Sequence, residues 1–570
     1  MRYFCVATDY DGTIAGNGIV SLSTIEALKH VRASGRKLIL ATGRQLGDLA
    51  HVFPEIGLFD RVVAENGAVL YHPATKEKRI LSSPPPEGFV RKLEERGVPI
   101  SVGEAILASS RPYDKELLEL IGQLGLNLQI TFNKDAVMVL PAGVTKGSGV
   151  KAALKDLKLS PHNAVGVGDA ENDHAFLQIC EFRVAVQNAL PALKDVADFV
   201  TDEPAGAGVE QLIEKLLADD LAHFERQIKR HRILLGHTAE DDEFLLSPYG
   251  YRLVVAGPSG SGKSRFVTLL VERLSEKGYQ ACVIDPEGDY DGLKGFVSLG
   301  RRDHRPDTSE MIDLLETHYR SVTVNLLGLP VGDRPAFFQK VLPRIQELRS
   351  KTGRPHWLII DEAHHFLPVS LDSANLVVPK QLANAALITV RPDHLSKAIL
   401  SSVNGLVLVG PDPRSLIEQF NEGASGHLDP GSLKMDDRDQ DGVLVWLFAG
   451  GGSPSRVKLE KTKVDWRRYQ QKYALGELGA DKSFYFTGPH KKMNLRAQNM
   501  NSFAQLAEGV DEETFTHHLR AHDYSNWVRD SVRDEELSGE IRAIEDAGLS
   551  GAESRQRLLD AVRRHYTAPV

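Results

Sequence analysis

The sequence predicts an α/β multidomain chain: a Rossmann-like core carrying a small α/β cap, then a second α/β domain, then a mainly helical C-terminal domain. Three observations lead there. Short, continuous apolar runs such as Phe4-Cys5-Val6-Ala7 and Trp357-Leu358-Ile359-Ile360 read as strands buried on both faces of a parallel sheet. Most of these runs stop at a polar tip, often with glycine, the place where ligands bind in open α/β sheets. Finally, 570 residues exceed what one core supports, at roughly 100–200 residues per domain.

The first strand delivers Asp9-Tyr10-Asp11-Gly12-Thr13, two carboxylates one residue apart. A helix is expected over 23–33, then a strand over 37–41 that ends in Thr42-Gly43-Arg44. The run 62–64 stops at Glu65-Asn66-Gly67-Ala68. Residues 84–141 change character, with helical segments among alternating strands such as 136–140, and read as a small inserted lid. The sheet resumes through Val144-Thr145-Lys146-Gly147, a helix to residue 157, a strand over 164–167 and the loop Gly168-Asp169-Ala170-Glu171-Asn172-Asp173; strands over 182–186 and 198–201 close it.

These motifs, in this order, resemble the haloacid dehalogenase superfamily, in its Cof-type branch with the lid between the second and third motifs, over about residues 1–217. The short lid is similar to that of archaeal phosphoglycolate phosphatase and sucrose-phosphate phosphatase relatives. The resemblance implies a phosphomonoesterase in which Asp9 is the nucleophile and Asp11 the general acid/base. It places Thr42, Gly43, Lys146 and Asn172 around the phosphate, and Asp9, the Asp11 carbonyl, Asp169 and Asp173 around magnesium.

The chemistry asks for the same residue types. A carboxylate attacks a phosphate ester only if the repulsion between two anions is neutralised, so an oxygen-ligated cation and an ammonium are needed. An aspartyl-phosphate route also needs an acid for the leaving alkoxide and a base for water, which one carboxyl can supply in turn.

Residues 218–247 read as a charged linker helix, with Glu225, Arg226, Lys229, Arg230, His231 and Arg232 on a solvated face. The strand 251–256 then runs into Gly257-Pro258-Ser259-Gly260-Ser261-Gly262-Lys263-Ser264 and a helix, the full strand–loop–helix context of a P-loop. In this pattern glycine-rich backbone N–H groups cradle phosphate, Lys263 reaches the β/γ oxygens and Ser264 ligates magnesium. The apolar strand before Asp361-Glu362 supplies Asp361, suited to magnesium either directly or through its bound water, and a group to polarise the attacking water, Glu362.

Asp285-Pro286-Glu287-Gly288-Asp289-Tyr290, Asp361-Glu362-Ala363-His364 and a strand over 385–390 closing on Arg391-Pro392 resemble the HerA/FtsK ATPases over about residues 248–459. That resemblance implies ATP hydrolysis, a homo-hexameric ring and DNA as a partner. One departure is Val390, where the family commonly carries glutamine to sense the γ-phosphate; Thr389 is the nearest polar substitute. A P-loop kinase would use the same loop but has no need of Glu362, and no arginine-rich lid is evident.

Residues 464–570 read as a short strand at 483–486 followed by helices over 499–507, 512–521, 525–529, 535–547 and 552–565, similar to an uncharacterised domain of such fusions. His518 and His522 lie four apart with His517 and Asp523 adjacent, a spacing open to zinc although such histidines more often decorate a helix. Trp527 and Phe515 fit a core stripe.

The formal charge of -9 provides no general attraction to DNA or anionic membrane. Three cysteines give neither a disulfide framework nor a zinc site, which fits a reducing cytoplasm. No apolar run approaches the roughly 18 residues of a membrane span, and no signal-peptide region precedes Asp9. The reading is a magnesium-dependent phosphomonoester hydrolase over 1–217, linker over 218–247, ATP-binding and hydrolysing domain over 248–463 and helical domain over 464–570. A DNA-directed motor or defence complex, a phosphatase–kinase pair and a purely regulatory ATP site are the alternatives.

Overall fold

The computed structural model describes the chain except residues 134–135, 226, 259–260, 318–319, 371–383, 425–427, 434–441, 449–450, 464–477, 479–481, 492, 533 and 567–570. It forms two compact units, the first made of Met1–Arg232 with Asp307–Ser321 and Phe337–His356, the second of the remainder.

The first unit is built on strands β1 (Cys5–Asp9), β2 (Lys37–Ala41), β3 (Arg61–Ala64), β4 (Val69–His72) and β5 (Glu77–Ile80). Four lid strands follow: β6 (Ser101–Val102), β7 (Leu107–Ser110), β8 (Leu128–Asn133) and β9 (Ala136–Pro141). After helix α1 (Lys146–Asp156) come β10 (Ala164–Gly168), β11 (Phe182–Ala185) and β12 (Phe199–Val200). The core sheet runs β12-β11-β10-β1-β2-β3-β4-β5, parallel from β12 to β3 and antiparallel at β4 and β5. Because Thr8 is opposite Val167 and Asp9 is opposite Ala41, the residues after β1, β2 and β10 emerge together at the carboxyl edge.

The lid sheet, β8-β9-β7-β6, is antiparallel and carries helices Glu87–Glu95 and Asp114–Gln123. Period-2 alternation divides β9: Val137 and Val139 join Phe89, Leu93 and Leu117 in the lid's own core, whereas Met138 and Leu140 cluster with Ala68, Ala105 and Ile106. One strand therefore both holds the lid together and apposes it to the core.

Where a linker helix was expected over 218–247, the structure has a 3-10 turn, Ala222–Phe224, followed by antiparallel strands β13 (Ile233–Thr238) and β14 (Glu243–Leu246). The charges explain the correction. Arg230 pairs with Asp198, Glu225 with Arg2, and His231 is buried, so the run pins the chain to the core instead of lining a solvated face. Asp307–Ser321 and Phe337–His356 also pack in this unit: buried Arg354 donates to Leu315 O at 2.9 Å and to Lys158 O at 2.8 Å.

In the second unit β15 (Arg252–Ala256) precedes helix α2 (Lys263–Glu276), β16 (Ala281–Asp285), β17 (Phe296–Leu299) and β18 (Ser321–Asn325). β19 (Trp357–Ile360), β20 (Ala385–Thr389), β21 (Gly405–Leu408), β22 (Val443–Leu447) and β23 (Ser455–Leu459) complete the sheet, whose order is β14-β13-β23-β22-β21-β15-β20-β19-β16-β18-β17. Parallel pairing of β15 with β20 and β21, and of β19 with β16 and β20, brings the motif-bearing strand ends to one edge. β24 (Phe484–Phe486) and β25 (Leu495–Ala497) form a hairpin against helices Met500–Gly509, Glu512–Arg520, Asp523–Trp527, Glu535–Asp546 and Gly551–Tyr566. Phe515 and Trp527 lie in that core, as their spacing implied. No helix among the described residues is long and apolar enough to cross a membrane.

Candidate phosphoryl-transfer site

Asp9 ends β1, Asp169 follows β10 and Lys146 opens α1, so the sheet and one helix start converge. The helix start is fixed locally: Thr145 Oγ1 accepts from Ser148 N at 3.1 Å while Ser148 Oγ accepts from Thr145 N at 3.0 Å, a reciprocal cap. It is also braced from outside, because Gly67, at φ +105°, lies so close that a Cβ there would come within 2.0 Å of Thr145 O.

Lys146 Nζ contacts Asp9 Oδ1 and lies 2.6 Å from Asp173 Oδ1. Asp173 Oδ2 accepts from the N–H groups of Asp169 at 2.8 Å and Ala170 at 2.9 Å, and Thr13 Oγ1 donates to Asp169 Oδ1 at 3.2 Å. Gly12 is required beside them: φ is +83° and a Cβ would meet Asp169 Oδ2 at 2.3 Å. Asp9, Asp169 and Asp173 each present an oxygen within 4.8 Å of the others, the only such cluster among the described residues.

All four charged groups are buried. Burial, then the neighbouring Asp173 carboxylate, pushes the Asp9 carboxyl up to about 8 against the pull of Lys146. Three carboxylates share the buried site with a single ammonium, so the donor set fits a divalent, oxygen-seeking cation such as magnesium.

Thr42 is buried, its hydroxyl accepting from Arg44 N at 3.1 Å. Asn172 Nδ2 donates to Asn66 Oδ1 at 2.9 Å, and the Asn66 amide contacts Met138 of the lid. Met138 also covers Gly43, where a Cβ would lie 2.9 Å from its Cε. Asp11 is more exposed, its side chain at 34%, and is held by Arg44 through two hydrogen bonds of 2.8 Å. The structure thus gathers Asp9, Asp169, Asp173 and Lys146 directly, with Gly43 and Asn172 linked through Asn66 and Met138. The roles of Arg44, Asn66 and Met138 were not assigned from sequence; the polar tips after β2 and β3 were the available signal.

In the second unit Lys263 Nζ donates to Gly257 O at 2.9 Å and Pro258 O at 2.8 Å. A Cβ at Gly257 would meet Val409 O at 2.1 Å, which is why the loop begins with glycine. Gly262 caps α2 at φ +101°, next to Lys263 and Ser264, whereas Ser259 and Gly260 lie outside the described residues and the Ser261 Oγ is buried with no hydrogen-bond partner among the described residues. Asp361 is buried after β19, and burial with Asp289, Glu362 and Asp285 raises its carboxyl well above the usual range. Glu362 takes φ +44°, its Oε2 3.4 Å from His364 Nδ1. His518 uses both ring nitrogens, Nδ1 at 2.7 Å from Asp523 and Nε2 accepting from Thr487 N at 3.1 Å, which leaves the zinc reading without a ligand there.

The haloacid dehalogenase-like hydrolase family matches residues 6–104 and 105–213, and the HerA helicase central domain matches residues 251–335. The chain joins a haloacid dehalogenase-like hydrolase domain to a HerA-type domain. Phosphoglycolate phosphatase 2 of Saccharolobus solfataricus is 29% identical over 220 residues, covering 37% of this chain and 92% of that protein. The phosphoglycolate phosphatase of Methanothermobacter thermautotrophicus is 29% identical over 229 residues, or 37% and 98%. A haloacid dehalogenase-like hydrolase structure from Bacteroides thetaiotaomicron is 17% identical and covers 38% of this chain and 100% of that one, with a TM-score of 0.34. The hydrolase domain is of the phosphatase type, and the HerA-type domain follows it in the same chain.

Proposed function

We propose that the hydrolase domain cleaves a small phosphomonoester through an aspartyl-phosphate on Asp9. The observation that carries this reading is the buried set of Asp9, Asp169 and Asp173 with Lys146 among them. Asp9 Oδ would attack phosphorus as the ester P–O bond breaks, and the leaving oxygen would take its proton from Asp11. Asp11 would then take a proton from water, whose oxygen attacks the phosphorus, freeing inorganic phosphate and Asp9. Magnesium, held by Asp9, the Asp11 carbonyl, Asp169 and Asp173, would offset the repulsion between carboxylate and phosphate. Lys146 and the Thr42 hydroxyl would hold phosphate oxygens beside Gly43 and Asn172.

The named relatives make phosphoglycolate the first substrate to assay. Asp9→Asn should abolish phosphate release and leave ATP hydrolysis intact. Acid quenching with a phosphate-labelled substrate should trap label on the unaltered chain; unchanged hydrolysis by Asp9→Asn would sink the assignment.

For the HerA-type domain the reading is ATP binding and hydrolysis, with Gly257 to Ser264 at the phosphates, Ser264 and Asp361 toward magnesium, and Glu362 toward water. Its support is the loop between β15 and α2 and the HerA match. Lys263→Ala should abolish ATP turnover and spare the phosphatase. A DNA-driven ring of six copies is the second reading, favoured by the HerA match alone; ATPase activity stimulated by DNA and weakened steeply by salt would support it. No stimulation at low salt by any form of DNA would remove it.

A further inference from the structure

We infer that Glu65 is a positioning residue: its carboxylate latches the lid loop 103–106 onto the core and thereby sets where the lid meets the phosphate-binding residues. The consequence for catalysis rests on the phosphatase reading, whereas the latch rests on geometry.

Glu65 is 1% exposed, yet its carboxylate is fully engaged. Oε1 accepts from Glu104 N at 3.0 Å, and Oε2 accepts from Ala105 N at 3.0 Å and Ile106 N at 3.2 Å. Three successive backbone donors converging on one carboxylate form an anion-binding nest, and such charge-assisted bonds are roughly twice as strong as neutral ones. The lid loop is shaped for it: Gly103 N donates to Ile106 O at 2.8 Å, and a Cβ on Gly103 would fall 2.7 Å from a Glu65 oxygen.

Glu65 is tied equally firmly to the catalytic edge. Its own N–H donates to Arg44 O at 3.0 Å, and Asn66 N donates to Thr42 O at 3.0 Å. At φ +50° the residue is bent out of ordinary backbone, which turns its side chain across to the lid. The same loop delivers Ala105 and Ile106 into the apolar cluster with Met138, and Met138 rests on Gly43 and Asn66. Beside the latch a cleft of about 770 Å³, lined by residues including Gln45, Tyr71, Lys78 and Glu104, separates lid from core. Lys78 and Glu104 pair at its rim with both side chains more than a third exposed, so that pair contributes little.

Losing the carboxylate leaves buried lid N–H groups without their acceptor, which favours an open lid. Glu65→Gln and Gly103→Ala, which attack the latch from opposite sides, test this by hydrogen exchange and by phosphoglycolate kinetics on the full chain with magnesium. Both variants should exchange the amides of 104–106 at least tenfold faster with β1 and β10 unchanged, and raise KM at least tenfold with kcat altered less than threefold. Unchanged exchange at 104–106 in a folded variant would overturn the latch, and faster exchange without the rise in KM would overturn its positioning role. Absence of any phosphomonoesterase activity in the unaltered chain would overturn the proposed reaction instead, and the exchange result would still decide the latch.

Discussion

Arg44 grips both oxygens of Asp11: Nε lies 2.8 Å from Oδ2 and Nη2 lies 2.8 Å from Oδ1. Nη1 of the same guanidinium reaches Asp48 Oδ2 at 2.6 Å, so the fork is oriented from two sides and the Asp11 carboxyl is fixed in plane. In the proposed reaction Asp11 gives a proton to one oxygen and later takes one from another, and both transfers need a fixed orientation.

Asp11→Asn should lower kcat for a phosphomonoester by about 10²–10⁴, the span of general acid–base catalysis. Arg44→Lys keeps the charge but cannot make the planar two-point contact, and should lower kcat by about tenfold with the melting temperature nearly unchanged. Steady-state kinetics at saturating substrate read both; a larger loss in Arg44→Lys than in Asp11→Asn would mean that Arg44 has a role beyond holding Asp11.

The metal-free site carries a penalty that can be measured without turnover. A carboxyl raised from 3.8 to about 8 on folding, as at Asp9, takes up a proton when the chain folds, so its contribution to stability falls as pH rises between those values. In chelator at pH 8, Asp9→Asn should therefore melt higher than the parent, by about 2–4 °C for each kcal/mol relieved, and the gap should close toward pH 4. Magnesium should raise the parent's melting temperature more than the variant's. Scanning calorimetry with and without magnesium gives both comparisons.

What the sequence made legible was the strand ends. Asp9, Thr42, Lys146 and Asp169 stand at apolar-run boundaries or a capped helix start, and local rules place such boundaries well. The contacts across the chain were not legible: nothing local announces that Glu65 binds residues 104–106, that Met138 rests on Gly43, or that Arg44 turns to Asp11. The helix expected over 218–247 failed for a similar reason. Its charges looked like a solvated face because their partners, Asp198 and Arg2, are distant in sequence, and the dense charge hid the short apolar pattern of β13.

In the second unit Thr389 and Glu362 should part company, the first structural and the second carrying the proposed water-activating role. Thr389, the nearest substitute for a polar sensor, is fully buried, and its hydroxyl lies 3.2 Å from His364 Nδ1, donates to Arg391 O at 3.1 Å and accepts from Arg391 N at 3.1 Å. Thr389→Val should thus cost about 0.5–1.5 kcal/mol of stability by removing the hydrogen bonds of a buried hydroxyl, with ATP turnover per folded molecule changed less than twofold. Glu362→Gln should do the reverse, keeping stability and nucleotide binding while turnover drops at least about a hundredfold. Denaturant titration beside ATPase assays distinguishes them, and a large turnover loss in Thr389→Val would restore it as a sensor.

Acid should undo the first unit by way of a buried cluster around Glu181. Its carboxylate lies 2.6 Å from His162 Nδ1 and 3.4 Å from His231 Nδ1, and these histidines with Arg2 hold it well below the usual carboxylate range despite burial. Burial first, then Arg230 and Arg2 against the pull of Glu181, brings His231 down to about 4. A histidine whose folded value is depressed refuses a proton that the unfolded chain accepts near 6.5, so its stabilisation is present above pH 6.5 and is lost as pH falls toward 4. The depressed Glu181 acts in the same direction, losing its contribution below the ordinary glutamate range. For His231 alone the loss amounts to about 3 kcal/mol, at 1.36 kcal/mol per unit. The temperature that inactivates the phosphatase at constant magnesium should therefore fall steadily from pH 6.5 to 4. His231→Phe should flatten that slope, and a variant as acid-sensitive as the parent would exclude His231 as its source.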